Sequence, residues 1–252
     1  MQNLFYPDLK VQIGKYVFQK GISLKLCSDK KLPYDWGNLR FTEEFQPSIA
    51  LEEDASVTVC MGYNGILEEV FYGNLTREYN SYERADEILF KDRMLLLEKV
   101  WITDTYLNCT PQDIIEDGLR KAGITQYSLD RMAFPTKSVV SIRQKNMVDV
   151  LKQINSLWGI QYHGTFIKGI FYWGVKPEQK EIYEFEYADN ILTLNREGGL
   201  WELVTVAMPF IQHSQIISVI HPKVTGEFEV EKVVSFTNPQ GFTRTSIYFD
   251  GG

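Results

Sequence analysis

Val57-Thr58-Val59-Cys60-Met61-Gly62-Tyr63-Asn64-Gly65-Ile66-Leu67-Glu68-Glu69-Val70-Phe71-Tyr72 holds two short apolar runs separated by Asn-Gly. Asn and Gly both tolerate positive φ, which a type I′ turn requires at its two central positions and which suits the twist of the strands on either side. The stretch therefore reads as a β-hairpin with strands over 57–61 and 67–72. Segments of the same kind precede it at 11–13, 16–18, 22–27 and 48–51, short, apolar or alternating, and spaced as in a sandwich or barrel. Residues 30–40 interrupt the pattern with Pro33, Tyr34, Asp35, Trp36 and Gly37 and read as a long loop carrying an aromatic. Residues 77–91 are polar and charged and read as an exposed connector, after which 95–102 returns to strand character.

Composition agrees with a strand-rich globular protein. The 252 residues are 44% apolar and 13% aromatic, with 14 Tyr and 15 Phe often beside β-branched neighbours, so real cores are within reach and sheets should dominate. The start of the chain lacks the basic-then-apolar pattern of a secretory leader, and no segment approaches the ~20 apolar residues that a membrane span needs. Synthesis in a cytoplasm, with no insertion of this chain into a membrane, is the expectation. Cys27, Cys60 and Cys109 are three and far apart, matching neither a disulfide framework nor the spacing of a zinc site, and read as idle or buried thiols. A formal charge of −7 repels phosphate and argues against specific nucleic-acid binding.

Helical periodicity enters only after residue 108. Thr110 is placed to cap a helix beginning at Pro111, with Ile114, Ile115, Leu119 and Ala122 on one face and Gly123 as its stop. Asn146 is placed to cap a second helix in which Met147, Leu151, Ile154 and Trp158 share a face and Gly159 is the stop. A strand over 138–142 lies between them, and 160–162 with 169–173 reads as a following hairpin. From Glu181 strands return. Tyr183, Phe185 and Tyr187 alternate with Glu184 and Glu186, and strands over 201–207, 215–221, 227–236 and 243–249 follow, with turns at Gly198-Gly199, near Pro222 and Gly226, and at 239–241. The expected architecture is mainly β with a small α/β insert: a first β-barrel domain over 1–107, an α/β module over 108–178 and a second β-barrel domain over 179–252.

Catalytic constellations are thin. The sequence has no GxSxG elbow, phosphate-binding GxxxxGK[ST] loop, HExxH pair or GxGxxG fingerprint. Gly164, Gly169 and Gly174 flank aromatic strand residues and read as hairpin glycines. His163, His213 and His221 lack the further ligands that a metal needs and read as ordinary strand or turn histidines. The acidic pairs Glu43-Glu44, Glu52-Glu53 and Glu68-Glu69 read as solvated edges, not as glycosidase carboxylates. Asn74-Leu75-Thr76 and Asn108-Cys109-Thr110 match the glycosylation acceptor pattern, which has no meaning without a leader. No catalytic, cofactor-binding or metal-ligating residue is assigned, and no cofactor is expected.

Local wording suggests a family. Ser138-Val139-Val140-Ser141-Ile142-Arg143-Gln144-Lys145-Asn146, followed by a helix and by Leu157-Trp158-Gly159-Ile160-Gln161-Tyr162, resembles a segment of phage late control protein D and of VgrG-type spikes. Thr110-Pro111-Gln112-Asp113-Ile114-Ile115 with Ala122-Gly123-Ile124 resembles their preceding helix, and 226–234 followed by 243–249 resembles the closing hairpin of their second barrel. The resemblance implies a non-enzymatic baseplate hub of a contractile tail or related injection machine. In such a hub three copies, each with two tube-like barrels, mimic a ring of six and join the sixfold tail tube to a threefold spike. The implied partners are further copies of the chain as a homotrimer, a tail tube protein, baseplate wedge proteins and, since no spike segment follows the last strand, a separate spike protein. The place of action would be a virion tail or phage-tail-like particle. The alternative is a carbohydrate- or cell-wall-binding module of a tail tip with Trp36 or Trp173 as sugar platforms, and a third class is a peptidoglycan hydrolase.

Overall fold

The computed structural model describes residues 7–42, 49–76, 87–238 and 242–252. The chain divides into two compact units, one being Asp92–Pro177 and the other formed jointly by the flanking segments, up to Lys91 and from Glu178 to Gly252.

The leading flank holds β1 (Pro7–Ile13), β2 (Tyr16–Phe18), β3 (Ile22–Asp29), β4 (Trp36–Phe41), β5 (Ser56–Tyr63), β6 (Ile66–Leu75) and β7 (Glu87–Asp92). Alternate side chains point inward, so Val11, Ile13, Ile22, Leu24, Leu39, Val57, Val59, Ile88 and Phe90 meet in one core. The opening hairpin has the expected turn: β5 and β6 pair from Ser56↔Asn74 to Tyr63↔Ile66, and Asn64 and Gly65 take φ of 56° and 82°. Gly62 is fixed by packing, since a Cβ there would lie 1.8 Å from the Ile66 carbonyl oxygen.

Three local expectations in this flank are corrected. Trp36 does not sit in a long loop but opens β4, which pairs with β3 on one side and β7 on the other. The turn chemistry of Pro33 to Gly37 masks a strand whose inward residues are Gly37 and Leu39. Of the expected connector, residues 77–86 lie outside the described residues, while 87–91 belong to β7, where the buried Ile88 and Phe90 alternate with the partly exposed Glu87, Leu89 and Lys91. Of the expected strand over 48–51, residue 48 lies outside the described residues and Ile49 and Leu51 pack on the core without strand pairing.

The inserted unit contains α1 (Met94–Lys99), β8 (Trp101–Cys109), α2 (Pro111–Lys121), β9 (Tyr127–Leu129), β10 (Lys137–Asn146), α3 (Met147–Trp158), β11 (Gly164–Ile167) and β12 (Ile170–Trp173). Both predicted helices form with the predicted caps. Thr110 Oγ1 accepts from the Asp113 N–H while Asp113 accepts from the Thr110 N–H, and Asn146 accepts from the Asp149 N–H. Gly159 closes α3 at φ 66°, a left-handed conformation that glycine adopts without Cβ strain. Ile114, Ile115, Leu119, Met147, Val150 and Ile154 are fully buried, facing Ile102, Val140 and Ile142 of the β8–β10 ribbon. Two expectations fail here. Leu95 to Lys99 is helical, because an apolar run with no period does not tell helix from strand, and the Asp92 carboxylate accepts from the Met94 N–H at its start. The hairpin's first strand is β11, not 160–162, with Lys168-Gly169 as its turn.

The trailing flank adds β13 (Tyr183–Glu186), β14 (Ile191–Glu197), β15 (Leu200–Val206), β16 (Ile216–His221), β17 (Val224–Thr237) and β18 (Thr243–Phe249). Gly226 lies inside β17 rather than at a turn, and the turn expected at 239–241 lies outside the described residues. Phe185, Leu194, Leu203, Ile211, Ile217, Val219, Val230, Val233, Ile247 and Phe249 form a second core, distinct from that of the leading flank. The two flanks share one sheet in the order β14-β15-β18-β17-β3-β4-β7-β6-β5-β1-β2, with β16 also on β17 and β13 on β16. The molecule is mainly β.

Candidate functional site: the seam between the two flanks

The seam is built from β3 of one flank and β17 of the other, antiparallel from Lys232↔Asp29 to Thr237↔Leu24. β3 buries Ile22, Leu24 and Cys27, and β17 buries Val233 together with the polar Ser235 and Thr237 while Phe236 stays 39% exposed; the edge atoms of the two strands bond across the seam. Backbone pairing runs past the strand end, where the Lys30 N–H donates to the Glu231 carbonyl at 3.0 Å, and the Leu24 N–H also reaches Thr237 Oγ1 at 3.2 Å. The Tyr63 hydroxyl donates to the Ala207 carbonyl at 2.6 Å, a second tie between the flanks.

Charges reinforce one end. Lys30 Nζ lies 3.1 Å from both Glu229 and Glu231, and Lys232 Nζ lies 3.7 Å from Asp29. Partial burial works against the Lys30 charge, but the hydrogen bonds it donates to Glu229 and Glu231 outweigh it and hold its pKa above the ordinary lysine value. Half-exposed pairs of this kind contribute ~1 kcal/mol or less each, so they set register more than strength.

Beneath them lies a buried polar pair. Asp35, on the β3–β4 loop, and His213, on the β15–β16 connection, approach to 3.9 Å between Oδ1 and Nε2, with 13% and 6% of their side chains exposed. Burial pushes the Asp35 carboxyl up to about 7, against the Ser28 hydroxyl and the Asp29 N–H, which favour its charge. Burial likewise pushes His213 down to about 4. His213 Nδ1 also contacts Ser214 Oγ at 2.9 Å. A cavity of about 40 Å³ borders Cys27, Ser28, Asp35, Phe71, Ile211 and Gln212, and burial raises the Cys27 thiol to about 11, so it is no nucleophile at neutral pH.

The remaining candidates are dispersed. His163 is exposed, and His221 ends β16, where its ring accepts from the Lys223 N–H and stacks edge-on against Tyr187. Among the described residues no three His, Cys, Asp or Glu side chains gather as a metal would require. A wider cleft of about 590 Å³ includes Asp8, Thr237 and Asn238, but these accept from the Gly65, Leu24 and Phe242 N–H groups. Trp173 is fully buried against Tyr162 and Phe134 and cannot serve as a sugar platform, which corrects that expectation; Trp36 is half-buried with Lys25 Nζ 5.6 Å from its ring centroid. Glu43 and Glu44 lie outside the described residues.

One outer edge is closed from within. The Asn190 side chain accepts from the Glu186 N–H at 2.8 Å and donates to the Glu184 carbonyl at 2.9 Å, standing in for a strand beside β13. Sequence reasoning missed the Asp35–His213 pair, the seam and this plug. No local signal pointed to the first, because the shared burial of a lone His and a lone Asp is invisible along the chain.

No family model and no curated protein matches the sequence. Solved structures do. The 43 kDa tail protein of prophage MuSo2 from Shewanella oneidensis superposes with a TM-score of 0.75 at 11% identity, covering 97% of this chain and 98% of that one. A tail protein from Neisseria meningitidis MC58 gives 0.71 at 11% identity, covering 97% and 96%. An Escherichia coli component of the type VI secretion system, described as structurally similar to the T4 bacteriophage tail proteins gp27 and gp5, gives 0.68 at 14% identity, covering 96% and 77%. At these identities the likeness is one of fold, and that fold is the one found in phage tail proteins.

Proposed function

We propose that this chain is a non-enzymatic hub subunit of a contractile phage tail or related injection machine. Three copies form a ring that joins a sixfold tail tube to a threefold spike, within a baseplate that includes wedge proteins. The observation that carries the reading is the β3–β17 seam: two flanks, each with its own core, fuse through strand edges into one sheet. Each flank then acts as one tube-like barrel, and six such halves from three chains make a ring that faces a sixfold neighbour. Ring closure by edge pairing removes free strand edges, which makes shape and assembly the activity. The tail-protein fold supports the placement in the late control protein D and VgrG-like group, in a virion tail or phage-tail-like particle.

Light scattering combined with particle imaging tests the reading. A mass of three chains and an annulus with a central hole are expected at the concentrations where tails assemble. A compact monomer that neither rings nor binds tail tube would overturn it.

A further inference from the structure

Val206, Arg244, Phe236 and Lys25 stand opposite one another on β15, β18, β17 and β3, so they form one row across the seam on a single face of the shared sheet. Their chain neighbours Thr205, Thr245, Ser235 and Leu24 are buried on the other face, which turns the row away from the cores. Val206 and Phe236 are 37% and 39% exposed. Phe242, just before β18, is 53% exposed, with the Arg244 guanidinium 3.6 Å from its ring centroid. Apolar and basic side chains thus alternate along the row.

The two bases are uncompensated. Among the described residues no carboxylate lies within ion-pair distance of Arg244 or Lys25. The guanidinium donates to the Thr243 carbonyl at 2.8 Å, and Lys25 Nζ rests 5.6 Å from the Trp36 ring centroid. The next row on this face, Val204, Ser246, Val234 and Cys27, carries no charge. Acids come one row further, where they are already engaged: Glu202 accepts from the Tyr248 hydroxyl, and Asp29 lies 3.7 Å from Lys232. In a chain of formal charge −7 the row is a local positive site.

We infer that this row is a docking surface for an acidic segment of a partner protein, which sets carboxylates on Arg244 and Lys25 and an apolar side chain against Phe236 and Phe242. The inference uses this face alone and requires neither ring nor spike. Charge complementarity names the occupant. A guanidinium backed by an aromatic ring is held in place and still offers donors in a fork that matches a carboxylate. Exposed aromatics beside Arg, with acids kept away, are what set interface cores apart from ordinary surface. A nucleic-acid backbone would use the two cations alone, leave Val206, Phe236 and Phe242 in water and be repelled by the rest of the chain. A twofold contact with a second copy would bring the bases of one row toward those of the other. The edge of β14, seven residues long and free on one side among the described residues, presents backbone groups that pair with any strand and so selects no partner chemistry.

NMR titration of the isotope-labelled full chain tests the inference, with a synthetic peptide of two Asp-Phe-Asp units joined by glycine, its Asn-for-Asp counterpart, and single-stranded oligothymidylate as probes. Saturable shifts at Arg244, Phe236 and Phe242 are expected with the acidic peptide. Binding should be about tenfold weaker for the other two probes, and about tenfold weaker for the acidic peptide in Arg244→Gln and in Phe236→Ser, with unchanged circular dichroism. Shifts that do not saturate or that lie away from the row, an Asn peptide that binds equally, or variants that bind like the parent overturn the inference. Oligothymidylate bound as tightly as the acidic peptide would make the row a phosphate surface. A light-scattering mass that rises with concentration in the parent but not in Arg244→Gln would make it a contact between copies. Either result overturns the partner assignment and leaves the hub reading standing.

Discussion

His213 Nε2 stands 3.9 Å from Asp35 Oδ1, one group from each flank, buried under the strand pairing that joins them. Folding raises the Asp35 pKa from 3.8 to about 7 and lowers that of His213 from 6.5 to about 4. Between roughly those limits the folded pair holds one proton. So does the unfolded chain between its own two values, and the pair as a unit therefore adds little pH dependence.

Breaking the pair should expose two opposite slopes. In Asp35→Asn, His213 remains with a depressed pKa, so its stability is present above 6.5 and lost as pH falls toward about 4. In His213→Asn, Asp35 remains with a raised pKa, so stability is present at low pH and lost as pH rises from 3.8 through about 7. Each slope should amount to about 3–4 kcal/mol over its window. Denaturant midpoints from pH 4 to 8 check this, and the neighbouring Asp29, Lys30, Glu229 and Glu231 are retained in all variants. Parallel slopes in the two variants would refute the shared-proton reading.

Gly62→Ala should destabilise the β5–β6 hairpin by more than about 2 kcal/mol, because its Cβ meets backbone at the Ile66 carbonyl and backbone cannot swing aside as a side chain would. Thermal unfolding measures it. Loss of under about 0.5 kcal/mol would mean that the strands separate at little cost there.

Thr110→Ala removes one arm of the capping box of α2 and should cost about 1 kcal/mol, while Thr110→Ser keeps the oxygen and should cost almost nothing. Equal losses in the two variants would assign the effect to the methyl group rather than to the cap.

Asn190→Ala should unplug the edge of β13. The loss of two hydrogen bonds costs about 1–2 kcal/mol, and the bared N–H and C=O groups invite strand addition. Turbidity at elevated concentration should rise relative to Asn190→Asp, which retains one acceptor. A variant that remains as clear as the parent would show that the edge is protected by other means.

The β5–β6 hairpin, α2 and α3 were legible because their signals are local. Asn64-Gly65, Thr110-Pro111 and Asn146 state turn and cap chemistry within a few residues, and the helical stripes repeat every turn. Strand β4 was hidden because turn-forming residues overlap its start, and α1 because a short apolar run carries no period. The exposure of Trp173 was misjudged for a related reason: an aromatic in an alternating strand has one buried face, and alternation alone does not say which.

Composition and period by themselves determined that this protein is built mainly of strands around apolar cores, with two capped helices set between the strand-rich flanks. Tertiary structure alone decided that β3 and β17, some two hundred residues apart in the chain, share an edge, and that Asp35 and His213 are buried together beneath it. Backbone edges are chemically alike in every strand, so which edge finds which is chosen by the packing of whole faces, a property no local stretch of residues contains.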